Sequence, residues 1–123
     1  MFPEEFAREA ILAHSEMGDL VLDPFSGRGT TVFQALLLDR PAIGLDINPV
    51  AACVSGAKAD PPSLPRALAR VRDLASQYRT SRLAVPSDLP VFFDYCFSYE
   101  TLKQVLFLRR ELDWGQSKVD RFI

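Results

Sequence analysis

A short apolar run that leads into a turn with two glycines constrains the fold of this chain more than any other feature. The run Leu20-Val21-Leu22 continues directly into Asp23-Pro24-Phe25-Ser26-Gly27-Arg28-Gly29-Thr30-Thr31. The glycines let the backbone turn sharply and approach a ligand closely, and the threonines place hydroxyl and N–H groups at a helix start. The pattern predicts a strand, a tight turn and a helix, which together form a ligand pocket at the carboxyl end of a strand in α/β proteins.

A second predicted strand, residues 42–47, also carries a carboxylate near its end, Asp46. An acid in this position accepts hydrogen bonds from ribose hydroxyls in dinucleotide-binding sheets, so we expect a nucleoside ligand. Val32 replaces the third glycine of the dinucleotide motif, and Asp23 precedes the glycines. A carboxylate repels a pyrophosphate but attracts an ammonium and a sulfonium. The loop therefore favours S-adenosylmethionine over NAD, and a role in hydride transfer is the weakest alternative.

Helix and strand signals divide the chain into two predicted parts. The predicted helices cover residues 4–15, 31–38, 50–59, 64–78 and 98–114, and the predicted strands cover residues 20–23 and 42–47. Asn48 and Pro49 are a typical helix start, and Gly115 is a stop. We expect an α/β fold with parallel strands and a right-handed crossover. Residues 1–59 would form a βαβ core with a preceding helix, and residues 60–123 a helical, aromatic-rich extension.

Composition excludes several classes of protein. The chain has 123 residues, 48% hydrophobic residues and a formal net charge of −2. These values are typical of one soluble domain that does not bind DNA strongly by itself. We predict no signal peptide and no membrane span. We also predict neither a disulfide framework nor a metal site, because Cys53, Cys96 and His14 are widely separated in the sequence. The expected compartment is a reducing cytoplasm. The basic excess between Lys58 and Arg82 is interpreted as a solvated helix face, with a phosphate-facing surface as the alternative.

The string from Asp23 to Thr31 resembles the cofactor motif of DNA methyltransferases that act on the exocyclic amine of adenine or cytosine. The resemblance includes Phe2-Pro3-Glu4 upstream and residues 43–49 downstream, and extends loosely to Ile123. It implies a partial Rossmann-like class I methyltransferase fold with parallel strands flanked by helices, and S-adenosyl-L-methionine as cofactor. The implied cofactor-binding residues are Asp23, Pro24, Phe25, Ser26, Gly27, Gly29, Thr30, Thr31, Asp46 and Ile47, with Phe2, Pro3 and Phe6 closing the pocket.

Purely structural roles are alternative interpretations for some of these residues. Asp46 is also consistent with a helix-capping or loop acid. Phe2, Phe6, Ile11 and Leu12 are also consistent with the core face of an amphipathic helix. If the charge argument holds, Asp23→Ala weakens cofactor binding far more than Asp60→Ala.

No residue of the chain is predicted to be catalytic. The catalytic motif of the resembled family is an acid, asparagine or serine followed by two prolines and an aromatic residue. In Asp60-Pro61-Pro62-Ser63 a serine replaces the aromatic residue and no buried strand precedes the segment, so we interpret it as a linker that breaks a helix, with catalysis as the alternative. The aromatic stretch 91–97 is expected to pack the following helix onto the core or to meet a missing part of the protein, with base stacking as the alternative.

The chain is therefore expected to be the cofactor-binding portion of a methyltransferase, incomplete on its C-terminal side, that meets DNA through the complete enzyme. A missing C-terminal segment or a partner polypeptide would supply the acceptor site. Two alternatives remain. The acceptor could instead be RNA, a protein or a small molecule, or the chain could be a non-catalytic cofactor-binding module that needs a partner chain.

Overall fold

The computed structural model describes residues 3–123, which form seven helices and a two-stranded parallel sheet. The elements in chain order are α1 (Glu4–His14), β1 (Val21–Asp23), α2 (Thr30–Leu37), β2 (Ala42–Gly44), α3 (Pro49–Ala59), α4 (Leu64–Thr80), α5 (Phe92–Cys96), α6 (Tyr99–Glu111) and α7 (Lys118–Phe122). The mixed architecture agrees with the predicted α/β class. Within the described residues, no helix is both long and apolar enough to cross a bilayer.

The two strands and the helix between them form the predicted parallel unit. Leu22 is paired with Ile43 in the register, and the N–H of Leu45 donates to the carbonyl of Asp23 at 2.9 Å beyond the end of the ladder. β2 ends at Gly44 rather than at Ile47, so the prediction was too long. The reason is local: the carbonyl of Leu45 accepts a hydrogen bond from Ser26 at 2.9 Å, which ties this backbone to the turn after β1 instead of to a longer ladder.

α2 is the central helix of the first half of the chain. It packs against α1, α3 and both strands. Its buried side chains include Val32 and Ala35, and α1 contributes Ile11 to the same core. Leu12 and Phe6 are 45% and 61% exposed, so the core interpretation holds for Ile11 and is wrong for these two residues.

The second half of the chain joins the first through its last helix. α4 packs against α6 and α7, and α7 packs against α3. Phe107 on α6 is buried, and its ring meets that of Tyr78 edge-on with 5.2 Å between the centroids. The predicted boundary at residue 60 stays a prediction, but α7 clearly returns to the helix that follows β2.

Several predictions for residues 91–123 were wrong. α6 ends at Glu111 instead of near Trp114, and α7 was not predicted. Val105 and Arg109 on α6 are exposed. The aromatic stretch forms the short helix α5, in which Phe92 and Tyr95 are 66% and 87% exposed. These two rings therefore do not pack α6 onto the core.

Candidate functional site

The turn between β1 and α2, residues 24–29, is called the glycine loop below. Both of its glycines have left-handed backbone conformations, with φ of 49° at Gly27 and 73° at Gly29. The N–H of Gly29 donates to the carbonyl of Ser26 at 2.7 Å, and the N–H of Phe25 donates to Oδ1 of Asp23 at 3.0 Å. The tight turn predicted from the sequence is confirmed.

Asp46, which lies two residues after the end of β2, holds the glycine loop through its carboxylate. Its Oδ2 accepts a hydrogen bond from the N–H of Gly27 at 2.8 Å, and its Oδ1 accepts one from the N–H of Asn48, also at 2.8 Å. Asn48 in turn caps α3, because its Oδ1 accepts a hydrogen bond from the N–H of Val50 at 3.0 Å. A carboxylate oxygen has more than one lone pair, so these bonds leave acceptor capacity for a ligand hydroxyl.

α3 supports the glycine loop from the other side. The hydroxyl of the buried Ser55 donates to the carbonyl of Gly27 at 3.1 Å, and Nζ of Lys58 donates to the carbonyl of Arg28 at 2.6 Å. A Cβ on Gly29 would lie 2.6 Å from the Ser55 hydroxyl oxygen and 2.9 Å from its Cα. The loop and helix are so close that only glycine fits without a shift in the backbone.

Sequence reasoning missed Ser55 and Lys58. They lie three residues apart on α3, a spacing that puts two side chains on one helix face. That spacing alone does not indicate which face meets the loop. Gly44 is similarly placed without a sequence signal, since a Cβ there would come within 2.7 Å of the side chain of Val32.

The predicted cofactor-binding residues differ in their exposure. Ile47 and Phe25 are 102% and 87% exposed, and both prolines, Pro3 and Pro24, are exposed as well. Thr30 and Thr31 are half-buried at the start of α2, and Ser26 is buried. Phe2 lies outside the described residues, so the predicted wall of Phe2, Pro3 and Phe6 stays a prediction.

The amino terminus of α2, where helix N–H groups give a partial positive charge, lies at the end of the glycine loop. Its N-cap residue is Gly29, which has no side chain to cap the helix, and the first turn contains no acidic residue. The first N–H groups of a helix lack partners within the helix and attract anions. Asp23 and Asp46 at the strand ends attract cations. The site therefore suits a ligand that carries charges of both signs.

The segment Asp60-Pro61-Pro62-Ser63 connects α3 to α4, as predicted for a linker that breaks a helix. Oδ1 of Asp60 pairs with Nζ of Lys118 at 2.7 Å, and Pro62 is buried. The ion pair ties Asp60 to α7. Among residues 3–123, there is no group of three His, Cys, Asp or Glu side chains suited to a metal ion.

Comparison with known proteins identifies relatives of the first half of the chain. Residues 1–54 match the model of a family described as DNA methylase. The Type II methyltransferase M.MjaI of Methanocaldococcus jannaschii is 53% identical over 47 residues, which are 38% of this chain and 16% of the relative. M.HpaI, a Type II methyltransferase of Haemophilus parainfluenzae, is 52% identical over 46 residues, which cover 37% and 15%. The DNA adenine methyltransferase YhdJ of Escherichia coli K12 is 48% identical over 46 residues, which cover 37% and 16%.

The similarity thus covers only 15–16% of the length of these three curated relatives. The family match, residues 1–54, runs from α1 into α3 and includes both strands, the glycine loop and the two carboxylates Asp23 and Asp46. No solved structure matches the chain significantly.

Proposed function

We propose that this chain, whose first 54 residues match the DNA methylase family, is the S-adenosylmethionine-binding portion of a DNA methyltransferase. The enzyme would transfer a methyl group to the exocyclic amine of adenine or cytosine. The hydrogen bond from Gly27 to Asp46, at 2.8 Å, is the observation that carries the proposal. This bond fixes the glycine loop beside the carboxylate that follows β2, so that one ligand can reach both.

The groups of the loop fit the charges of this cofactor. S-adenosylmethionine carries an ammonium and a sulfonium, which Asp23 would attract, and a carboxylate, which the first N–H groups of α2 would bind. The remaining lone pairs of the Asp46 carboxylate would accept hydrogen bonds from the ribose hydroxyls. The exposed side chain of Ile47 would lie against the adenine. When bound, the cofactor supplies an electrophilic methyl group for in-line displacement by an amine.

The roles of this chain are binding and orientation. Ser55 and Lys58 hold two successive loop carbonyls, those of Gly27 and Arg28. A loop that is already fixed before the ligand arrives loses less conformational entropy on binding. No catalytic residue is assigned within this chain, and an acceptor site that extrudes the target base would come from outside it.

Calorimetric titration with S-adenosylmethionine tests the cofactor proposal. Asp23→Asn removes the charge but keeps an oxygen that can accept the hydrogen bond from Phe25. We expect this variant to weaken binding by about tenfold or more, because a charge-assisted contact contributes about 1.5–3 kcal/mol. Asp88→Asn is the matched control, since Asp88 is exposed in a loop, whereas Asp60 is engaged with Lys118.

Two results would contradict the cofactor proposal. One is a folded chain that binds NAD but not S-adenosylmethionine, and the other is an equal loss of affinity in the Asp23 and Asp88 variants. The acceptor is tested separately, by transfer of labelled methyl groups from the cofactor to DNA, tRNA and small amines by the native protein that carries this chain. Exclusive labelling of tRNA or amines would rule out the DNA proposal.

A further inference from the structure

A broad groove with a cavity volume of about 1190 Å³ is lined by residues of α3, the end of α6 and α7. The floor is apolar, with Val54 of α3, Leu108 of α6 and Ile123 after α7 among its residues. The groove is not the glycine loop itself, but it adjoins the loop through Lys58. This lysine lines the groove and donates to the carbonyl of Arg28 at 2.6 Å.

The rim of the groove has an excess of positive charge. Four basic and two acidic side chains line it, namely Lys58, Arg109, Arg110 and Arg121 with Asp113 and Asp120. Asp120 is neutralised by Arg70, which lies outside the lining, through an Nε–Oδ1 pair at 2.7 Å. Arg110 is paired with Glu111 at 2.7 Å. Oδ1 of Asp113 accepts the N–H of Gln116 at 3.1 Å.

Two of these cations lack a partner within the described part of the chain. The structure records no ion pair or side-chain hydrogen bond for Arg109 or Arg121 among residues 3–123. Nε of Arg121 is also buried without a hydrogen-bond partner among the described residues. An unsatisfied buried donor is costly, so a rotation of this side chain that brings Nε to an anionic oxygen would be favourable.

Aromatic rings complete the groove. Trp114 and Phe122 line it and are 46% and 49% exposed, so part of each ring is open to a ligand. Proteins bind single-stranded nucleic acid by stacking its bases on exposed aromatic rings and by neutralising its phosphates with basic side chains. The groove offers both kinds of group. An acidic peptide would satisfy the charges but would offer no base to stack on Trp114.

We propose that this groove binds a single-stranded segment of DNA, with phosphates on Arg109 and Arg121 and a base on Trp114. The choice of DNA rests on the proposed function. The groove would hold a part of the substrate strand beside the glycine loop, which the cofactor would occupy. The groups proposed to bind the strand, Arg109, Trp114 and Arg121, lie in the helical extension, outside the residues that match the DNA methylase family, whereas Val54 of the floor lies within them.

The fluorescence of Trp114, the only tryptophan of the chain, gives a direct test. The 123-residue chain is titrated with a single-stranded oligodeoxythymidine at several salt concentrations. We expect quenching that saturates and an affinity that falls as salt rises. Arg121→Gln and Arg109→Gln should each weaken binding by about tenfold, the effect of one lost contact to a charged group. Arg8→Gln, an equal change of charge on the exposed face of α1, should leave the affinity nearly unchanged.

Circular dichroism identifies variants that remain folded, and either arginine variant suffices for the test. The groove proposal is overturned if the folded chain does not bind the oligonucleotide, or binds it without a change in Trp114 fluorescence. Equal losses in the Arg8 and Arg121 variants would also overturn it, as would polyglutamate binding with the same affinity and the same dependence on Arg121. Titration of the same sample with S-adenosylmethionine keeps the two proposals apart, because cofactor binding without DNA binding removes only the groove.

Discussion

Gly27 and Gly29 have the same type of backbone conformation, but only Gly29 is pressed against a neighbouring helix. Their φ angles are 49° and 73°. A Cβ on Gly27 would meet nothing closer than a backbone oxygen at 3.9 Å, whereas a Cβ on Gly29 would come within 2.6 Å of the Ser55 hydroxyl. The pair therefore separates the cost of backbone conformation from the cost of close packing.

We predict that Gly29→Ala lowers the free energy of unfolding more than Gly27→Ala does. The left-handed conformation costs about 1–2 kcal/mol for alanine in both variants. Overpacking against Ser55 adds about 1–3 kcal/mol for Gly29→Ala alone. Urea unfolding followed by circular dichroism measures both. Equal losses would mean that the loop moves away from α3 at little cost, so that the glycine is required only for its φ angle.

The residues of the site were predictable to different degrees. Asp23, Gly27 and Gly29 could be identified because strand ends and glycine turns have local sequence signals. Asp46 accepts hydrogen bonds from the N–H groups of Asn48 and Gly27, as the interpretation as a loop acid expects, and its role toward a ribose stays a prediction. Ser55 could not be found, because its contact with Gly27 depends on how α3 packs.

At the scale of helices and strands, one partly buried ion pair connects three parts of the extension. Nε of Arg70 on α4 donates to Oδ1 of Asp120 on α7 at 2.7 Å, and Nη2 of Arg70 donates to the carbonyl of Glu111 at the end of α6 at 2.8 Å. The N–H of Asp113 also donates to Asp120, at 3.2 Å. The hydrogen bond from Arg70 lowers the pKa of Asp120, against an opposing effect of burial.

We predict that this pair makes the stability of the chain depend on acidity. Because the pKa of Asp120 is lower in the folded state, its stabilisation is complete above the ordinary carboxyl pKa, near 4, and is lost as the pH falls through the lowered value. Arg70 stays charged throughout this window, since its pKa is raised. Asp120→Asn should lower the free energy of unfolding at pH 7 by about 1–3 kcal/mol, because it removes one partner of a largely buried pair.

Urea unfolding at pH 7 and at pH values below the ordinary carboxyl pKa measures the effect. The loss of stability on acidification should be smaller in Asp120→Asn than in the unmodified chain. Asp73→Asn is the matched control, because Asp73 also pairs with Arg70, at 2.8 Å, but its side chain is 50% exposed. If Asp120→Asn and the unmodified chain lose the same stability between the two conditions, Asp120 does not carry the acid sensitivity.

The sequence predicted elements well where the signal was local. The starts of α3 and α6 followed from Asn48 and Ser98, whose side chains accept the capping hydrogen bonds as expected. α7 has only five residues, and although Ser117 caps it, its position depends on a partner fifty residues earlier, Arg70. Such a short helix has too few hydrogen bonds to be stable by itself, so tertiary contacts decide its existence.

For the molecule as a whole, the sequence predicted apolar strands, but it did not show that one face of the sheet is open. Leu22 and Ile43 are paired in the register and are 59% and 46% exposed. The face that meets α2 is the covered one, where Val32 is 6% exposed and lies next to Gly44. Parallel sheets are normally covered on both faces, which makes this apolar surface unusual for the class.

We predict that the open face makes the purified chain associate and bind apolar dyes. Exposed neighbouring apolar side chains favour self-association. The double variant Leu22→Thr, Ile43→Thr should show lower fluorescence of bound anilinonaphthalene sulfonate. It should also show a smaller fraction of oligomers in analytical sedimentation. Each substitution should lower the free energy of unfolding by less than about 1 kcal/mol, because an exposed position loses little burial. Val32→Thr is the control from the covered face, and it should cost about 1–3 kcal/mol by burying a hydroxyl. If the double variant binds the dye as strongly as the unmodified chain does, a different apolar surface binds the dye. The groove beside Trp114 is then the next surface to alter.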